Sequence, residues 1–167
     1  MSARSRSLLA LGGFLAASFG AAAFGSYFTA QSVETWYPPL EKPSWRPPNS
    51  AFGPVWTVLY TLMGVSAWLV WKRQTPADAT PSQRRSALAA WGVQLLLNAA
   101  WSAAFFGARS PGAGLAVIAA LVPSIAATAA LAGRVSKPAG LLLLPYLAWT
   151  SFAAALNASI WRLNADS

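Results

Sequence analysis

Cysteine and histidine are both absent from the 167 residues. That excludes a structural disulfide, a thiolate nucleophile, an imidazole base and any His/Cys metal centre. Asp and Glu together number only 4, and the candidate residues below include no carboxylate pair, nucleophile–base couple or phosphate cradle. Charge of either sign is scarce, at 10% of residues, where soluble domains carry about a quarter. What fills the chain is apolar: 56% hydrophobic residues, with 9 Trp and 12 Pro.

The few charges are clustered, leaving five windows free of Asp, Glu, Lys and Arg at 7–33, 47–71, 86–108, 110–133 and 138–161. Each is long enough for a spanning helix, which needs about 20 apolar residues. The expected fold is an all-α integral membrane protein, a five-transmembrane-helix bundle forming a single domain over 1–167. Its helices are placed at about 8–30, 51–72, 86–107, 112–133 and 138–162, with a lid-like loop at 31–50. Arg4 and Arg6 ahead of LLALGGFLAASFGAAA also resemble a signal peptide, but the window exceeds a signal core and is read as a helix.

A net charge of +8 would point to nucleic acid in a soluble protein. Here the basic residues flank helix ends, where membrane orientation accounts for them, and no nucleic-acid partner is expected. Arg4, Arg6, Lys72, Arg73, Arg84, Arg85, Arg134 and Lys137 fall on one side, with Lys42, Arg46, Arg109 and Arg162 on the other. The N-terminus is therefore expected on the positive, inner side.

The stretch from Trp36 to Tyr60 carries Pro38, Pro39, Pro43, Pro47, Pro48 and Pro54. Proline fixes φ and lacks an amide donor, so this run is expected to be stiff and non-helical. An aromatic belt at the bilayer interface and a lid over a cavity both account for its Trp36, Tyr37 and Trp45. After it, Trp56 and Tyr60 share one face of helix 2, while Trp68 and Trp71 beside Lys72 and Arg73 read as interface anchors. The second loop, 72–86, with Pro76 and Pro81, reads as connective.

Helix 3 has two faces. Gln94, Asn98, Trp101, Ser102 and Phe105 form a polar-aromatic stripe, which must face protein or a cavity because unpaired amides are costly in hydrocarbon. Opposite lie Ala89, Val93, Leu96, Ala100, Ala103 and Gly107, a smooth stripe suited to a second helix or a second subunit. Gly13, Ala17, Ala21 and Gly25 give helix 1 a similar packing stripe. Pro123 is expected to kink helix 4, and Pro145 to bend helix 5 by freeing a carbonyl one turn earlier. Helix 5 presents Tyr146, Trp149, Ala153 and Asn157 on one broad face. Together these faces describe a pocket walled by Trp and Tyr with two amides, suited to a large, flat, mostly apolar ligand.

Four ordered blocks carry a family resemblance: WYxxLxKPxWxPP at 36–48, FGPVWTVLY at 52–60, QxxLNxxWSxxFF at 94–106 and PYxxWxxFAxxLN at 145–157. They resemble the TspO/MBR family of tryptophan-rich sensory and translocator proteins, also called peripheral-type benzodiazepine receptors. The Ala-rich, Arg-over-Lys composition points to a bacterial member. The resemblance implies a five-helix bundle, usually a homodimer, that binds porphyrins between its helices below the first loop. By motif position the ligand-binding residues would be Tyr37, Trp56, Tyr60, Asn98, Trp149 and Ala153, with Trp45 near the lid. The resemblance implies porphyrin as the ligand, with no cofactor required. Animal members carry a sterol-recognition Tyr in helix 5, where this chain has Ala158, so cholesterol is a doubtful partner, although Arg162 is retained.

Three functions follow from these readings. The first is a membrane receptor or translocator for protoporphyrin IX or haem, which would find no His or Cys axial ligand and be held by its ring and propionates, with Lys42 and Arg46 near. The second is light- and oxygen-dependent porphyrin degradation, with Trp56 and Trp149 as catalytic candidates and the porphyrin supplying the photochemistry. The third is an assembly protein acting through the helix 3 stripe as a dimer.

Overall fold

A computed structural model describes residues 2–73 and 79–165. They contain helix and loop but no strand, and five helical spans are long and apolar enough to cross a membrane. Pro76 lies outside the described residues.

The first helix, α1, covers Ala3–Ser32 and extends past both expected ends. Ser2 caps it by accepting from the Ser5 amide at 3.1 Å, so Arg4 and Arg6 lie in its opening turns. Thirty residues rise about 45 Å, well beyond a hydrocarbon core of about 30 Å, so charged ends fit on a spanning helix.

The second, α2, covers Asn49–Lys72, and Pro54 sits inside it, where a loop proline was expected. The physical reason is position. Helix-opening amides have no intrahelical partner, so a proline just past the first turn forfeits only the bond to the Ser50 carbonyl.

The third, α3, covers Pro81–Ser102 and starts well before residue 86. A reciprocal capping box starts it: the Gln83 amide donates to Thr80 Oγ1 at 3.2 Å and the Thr80 amide to Gln83 Oε1 at 2.9 Å. Absence of charge marks where a helix is in lipid, not where it begins. A π-helical turn, Ala103–Gly107, ends this span, and Arg109, at φ 52°, turns the chain into α4, Pro111–Val135. That helix continues through Pro123.

The expected fifth helix is two. The short α5, Lys137–Leu141, is followed by α6, Leu144–Leu163, with the break just before Pro145, which cannot donate to the Leu141 carbonyl.

Close backbone approaches set the packing. At Gly140 a Cβ would lie 2.7 Å from the Ala129 carbonyl oxygen and 2.8 Å from Gly133 Cα, so α5 presses on α4 backbone to backbone. At Gly64 a Cβ would lie 3.1 Å from Leu15 Cα, which seats the first half of α1 on α2. The second half of α1 leans on α3: a Cβ at Gly25 would meet Ser102 Oγ at 2.8 Å, and one at Gly107 would meet Phe28 at 2.7 Å. Of the expected helix 1 stripe, a Cβ at Gly13 would meet nothing within 4 Å. Trp68 does more than anchor at the interface, since its indole donates to the Ser7 carbonyl at 3.1 Å and ties α2 to the start of α1.

Candidate functional site

A cavity of about 510 Å³ lies between α1, α2, α3 and α6. Five sequence-selected residues line it: Tyr37 from the loop, Trp56 and Tyr60 from α2, Asn98 from α3 and Ala153 from α6. Trp45 and Trp149 do not. They border a shallower groove between α2 and α6, with Pro54, Val58, Pro145 and Phe152. The broad face expected on helix 5 is thereby divided: Ala153 and Asn157 look into the cavity, Tyr146 is fully buried, and Trp149 packs on Phe52 at 5.7 Å between ring centroids.

The amides on the wall are already paired. Tyr60 donates to Asn98 Oδ1 at 2.6 Å, and Asn98 Nδ2 donates to the Tyr146 hydroxyl at 3.0 Å, joining α2, α3 and α6 in one buried chain. Asn157 accepts from the Trp101 indole at 3.1 Å and donates to the Pro111 carbonyl at 2.7 Å. Buried polar groups satisfied in this way leave ring faces and methyls as the main surface offered to a ligand. Gln94, from the same stripe, is fully buried away from the cavity, and neither end of its side chain has a hydrogen-bond partner among the described residues.

The loop, 33–48, closes one end of the cavity. Tyr37 is buried against Phe105 and Phe106, at 6.3 and 5.8 Å between centroids, and Trp36 stacks edge-on against Phe105. Asn164, just past α6, grips Glu41 from both sides, accepting from its amide and donating to its carbonyl, each at 3.0 Å. Lys42 folds back on the loop: its ammonium donates to the Pro38 carbonyl at 2.8 Å and to that of Leu40, and sits 4.8 Å from the centre of the Tyr37 ring. Burial, and then the neighbouring Arg46 charge, hold the Lys42 ammonium below its ordinary value. Arg46 reaches Asn49 Oδ1 at 2.8 Å, on the cavity's edge. Trp45 is half exposed against Phe152, outside the cavity.

Sequence reasoning missed a whole wall. Phe19, Ala22, Ser26 and Thr29 of α1 line the cavity, and nothing in their spacing marks them, because α1 is nearly uniform in hydrophobicity. Trp101, Ser102 and Asn157 also line it, and these were legible as faces although not chosen as ligand contacts. Among the described residues no group of three His, Cys, Asp or Glu could hold a metal ion.

Fold and site together define a class: a small all-helical bundle of membrane-spanning helices with an aromatic cavity sealed by a proline-rich loop. Residues 14–162 match the model of the TspO/MBR family, and the chain belongs to that family. It is 47% identical over 141 residues to the "Tryptophan-rich protein TspO" of Archaeoglobus fulgidus, covering 84% of this chain and 88% of the relative. It is 41% identical over 158 residues to the human "Translocator protein", covering 93% and 89%. It is 34% identical over 151 residues to the "Tryptophan-rich sensory protein" of Cereibacter sphaeroides, covering 90% and 89%.

Proposed function

We propose that this chain is an integral membrane receptor or translocator-type protein that holds a porphyrin-type tetrapyrrole in the cavity. The observation that carries the reading is a cavity of about 510 Å³ in which Asn98 and Asn157 are already hydrogen-bonded to protein and eight aromatic side chains stand among the mostly apolar lining. Such a surface binds a flat apolar macrocycle by ring contact and has little to offer a polar metabolite. The family resemblance supplies the ligand class, and the relatives named sensory and translocator proteins agree with a binding role. With no His or Cys in the chain, metal-free protoporphyrin IX is the preferred form, haem being held only by its ring and propionates. Arg46, at the cavity's edge, is better placed for a propionate than Lys42, whose ammonium is spent on the loop's own carbonyls.

The degradative reading has less support, because it needs Trp56 and Trp149 beside one ligand and Trp149 borders the other groove. The N-terminus lies on the inner side in this reading, with the loop and the end of α6 opposite. Two copies pair through Ala89, Val93, Leu96 and Ala100, the exposed part of the α3 stripe. Gly107 is committed to Phe28 within the chain.

Titration with protoporphyrin IX, followed by tryptophan quenching in darkness and porphyrin absorbance under light, tests this. Saturable quenching with stable absorbance is expected. Loss of the porphyrin band with a new product, abolished by Trp56→Phe and Trp149→Phe, would make the protein an enzyme. Absence of quenching would remove the tetrapyrrole.

A further inference from the structure

We infer that the cavity is entered from the side of the bundle, between α1 and α2, by a ligand already dissolved in the bilayer. This rests on the reading that the cavity holds a flat apolar molecule, and it adds where that molecule comes from. The first half of α1 is locked to α2, by Leu15 over Gly64 and by Trp68 on Ser7. The second half leaves α2 for α3, at Gly25 on Ser102, Phe28 on Gly107, and a bond from the Ser32 hydroxyl to the Phe106 carbonyl at 2.7 Å. The two helices therefore part toward the loop end, with the cavity behind the gap. Four residues on the lips, Ser26 and Ala30 of α1 and Gly53 and Thr57 of α2, both line the cavity and are exposed. A Cβ built at Gly53 meets nothing within 4 Å, so the gap is open at that level.

The other route, from water past the loop, is plugged. Tyr37 is buried on Phe105 and Phe106, and the loop above it is pinned by Asn164 to the end of α6. The lips also have the chemistry of a lipid-facing mouth. Thr57 donates its hydroxyl to the Gly53 carbonyl at 2.9 Å, and Thr29, just inside, donates to the Gly25 carbonyl at 3.1 Å, so neither hydroxyl depends on water for a partner. Back-bonded hydroxyls of this kind cost less in hydrocarbon than unpaired ones.

Because the chain has no cysteine, one introduced thiol reports on access. Ser102→Cys, or Ala153→Cys as a second reporter, places it in the cavity wall of protein held in phosphatidylcholine vesicles. A long-chain alkyl maleimide dissolved in the vesicles is expected to label it, and a sulfonated maleimide confined to water is not. Adding Ala30→Trp or Gly53→Trp at the mouth should slow that labelling by about tenfold or more, while Ser44→Trp in the exposed loop should leave it unchanged. Equal labelling by the sulfonated reagent, or indifference to tryptophan at both lip positions, would overturn the side entrance. Labelling needs no porphyrin, so side access without protoporphyrin IX quenching would sink the ligand assignment and keep the route. Slower delivery of protoporphyrin IX from vesicles into the lip variants would support both.

Discussion

The Tyr60 hydroxyl donates to Asn98 Oδ1 at 2.6 Å, and Asn98 passes the bond on to Tyr146 at 3.0 Å. Three helices are thus tied at the cavity floor by three side chains, and Asn98 has both ends of its amide engaged. Tyr60→Phe leaves the Asn98 carbonyl buried without its donor. Thermal unfolding in detergent should show a loss of about 1–3 kcal/mol. Asn98→Ala combined with Tyr60→Phe should cost less than the sum of the two single changes, since both break the same bond. Strict additivity would mean that the pair is not coupled.

Two glycines separate crowding from openness. Gly140→Ala drives a methyl into the Ala129 carbonyl and Gly133 Cα, backbone atoms that cannot step aside, and should destabilise by about 1–3 kcal/mol. Gly53→Ala adds a methyl to open space on a helix and should be neutral or stabilising by up to about 1 kcal/mol. The same melting curves measure both.

Asn164→Ala removes the two-point grip on Glu41 while leaving the Lys42 contacts in place. Hydrogen exchange at the Glu41 amide should rise, and protease should cut the loop, 33–48, faster. Unchanged exchange would show that the other loop contacts hold it without Asn164.

For the pairing of two copies, Ala100→Leu with Ala89→Leu should reduce the mass measured by light scattering from that of two chains to that of one. These positions are exposed and make the cleaner test. A bulky residue at Gly107 would collide with Phe28 first and confuse misfolding with dissociation. An intact dimer would place the interface on another face.

Much of this arrangement is legible in the sequence. A charge in hydrocarbon is expensive enough that uncharged windows must be spans, so five helices could be counted from Lys, Arg, Asp and Glu alone. Period-3.6 spacing put Trp56 with Tyr60, and Asn98 with Trp101 and Ser102, on common faces. Boundaries were less legible, because the capping box starts α3 ahead of Arg84 and Arg85, which lie within its opening turns, and Pro54 costs α2 only one bond.

The all-helical class, the five spans and the aromatic character of the faces follow from local solvation cost and helical period, and so can be read from the residues. Which side chains look into one cavity depends on how the helices cross. Trp149 shares a helix with Ala153 and Asn157, yet it borders the α2–α6 groove, as Trp45 does from the loop. The wall contributed by α1 exists because glycines let that helix lie on α2 at one end and on α3 at the other. Period fixes neighbours along a helix, whereas the crossing of helices, set by where backbones can touch, decides what each face meets.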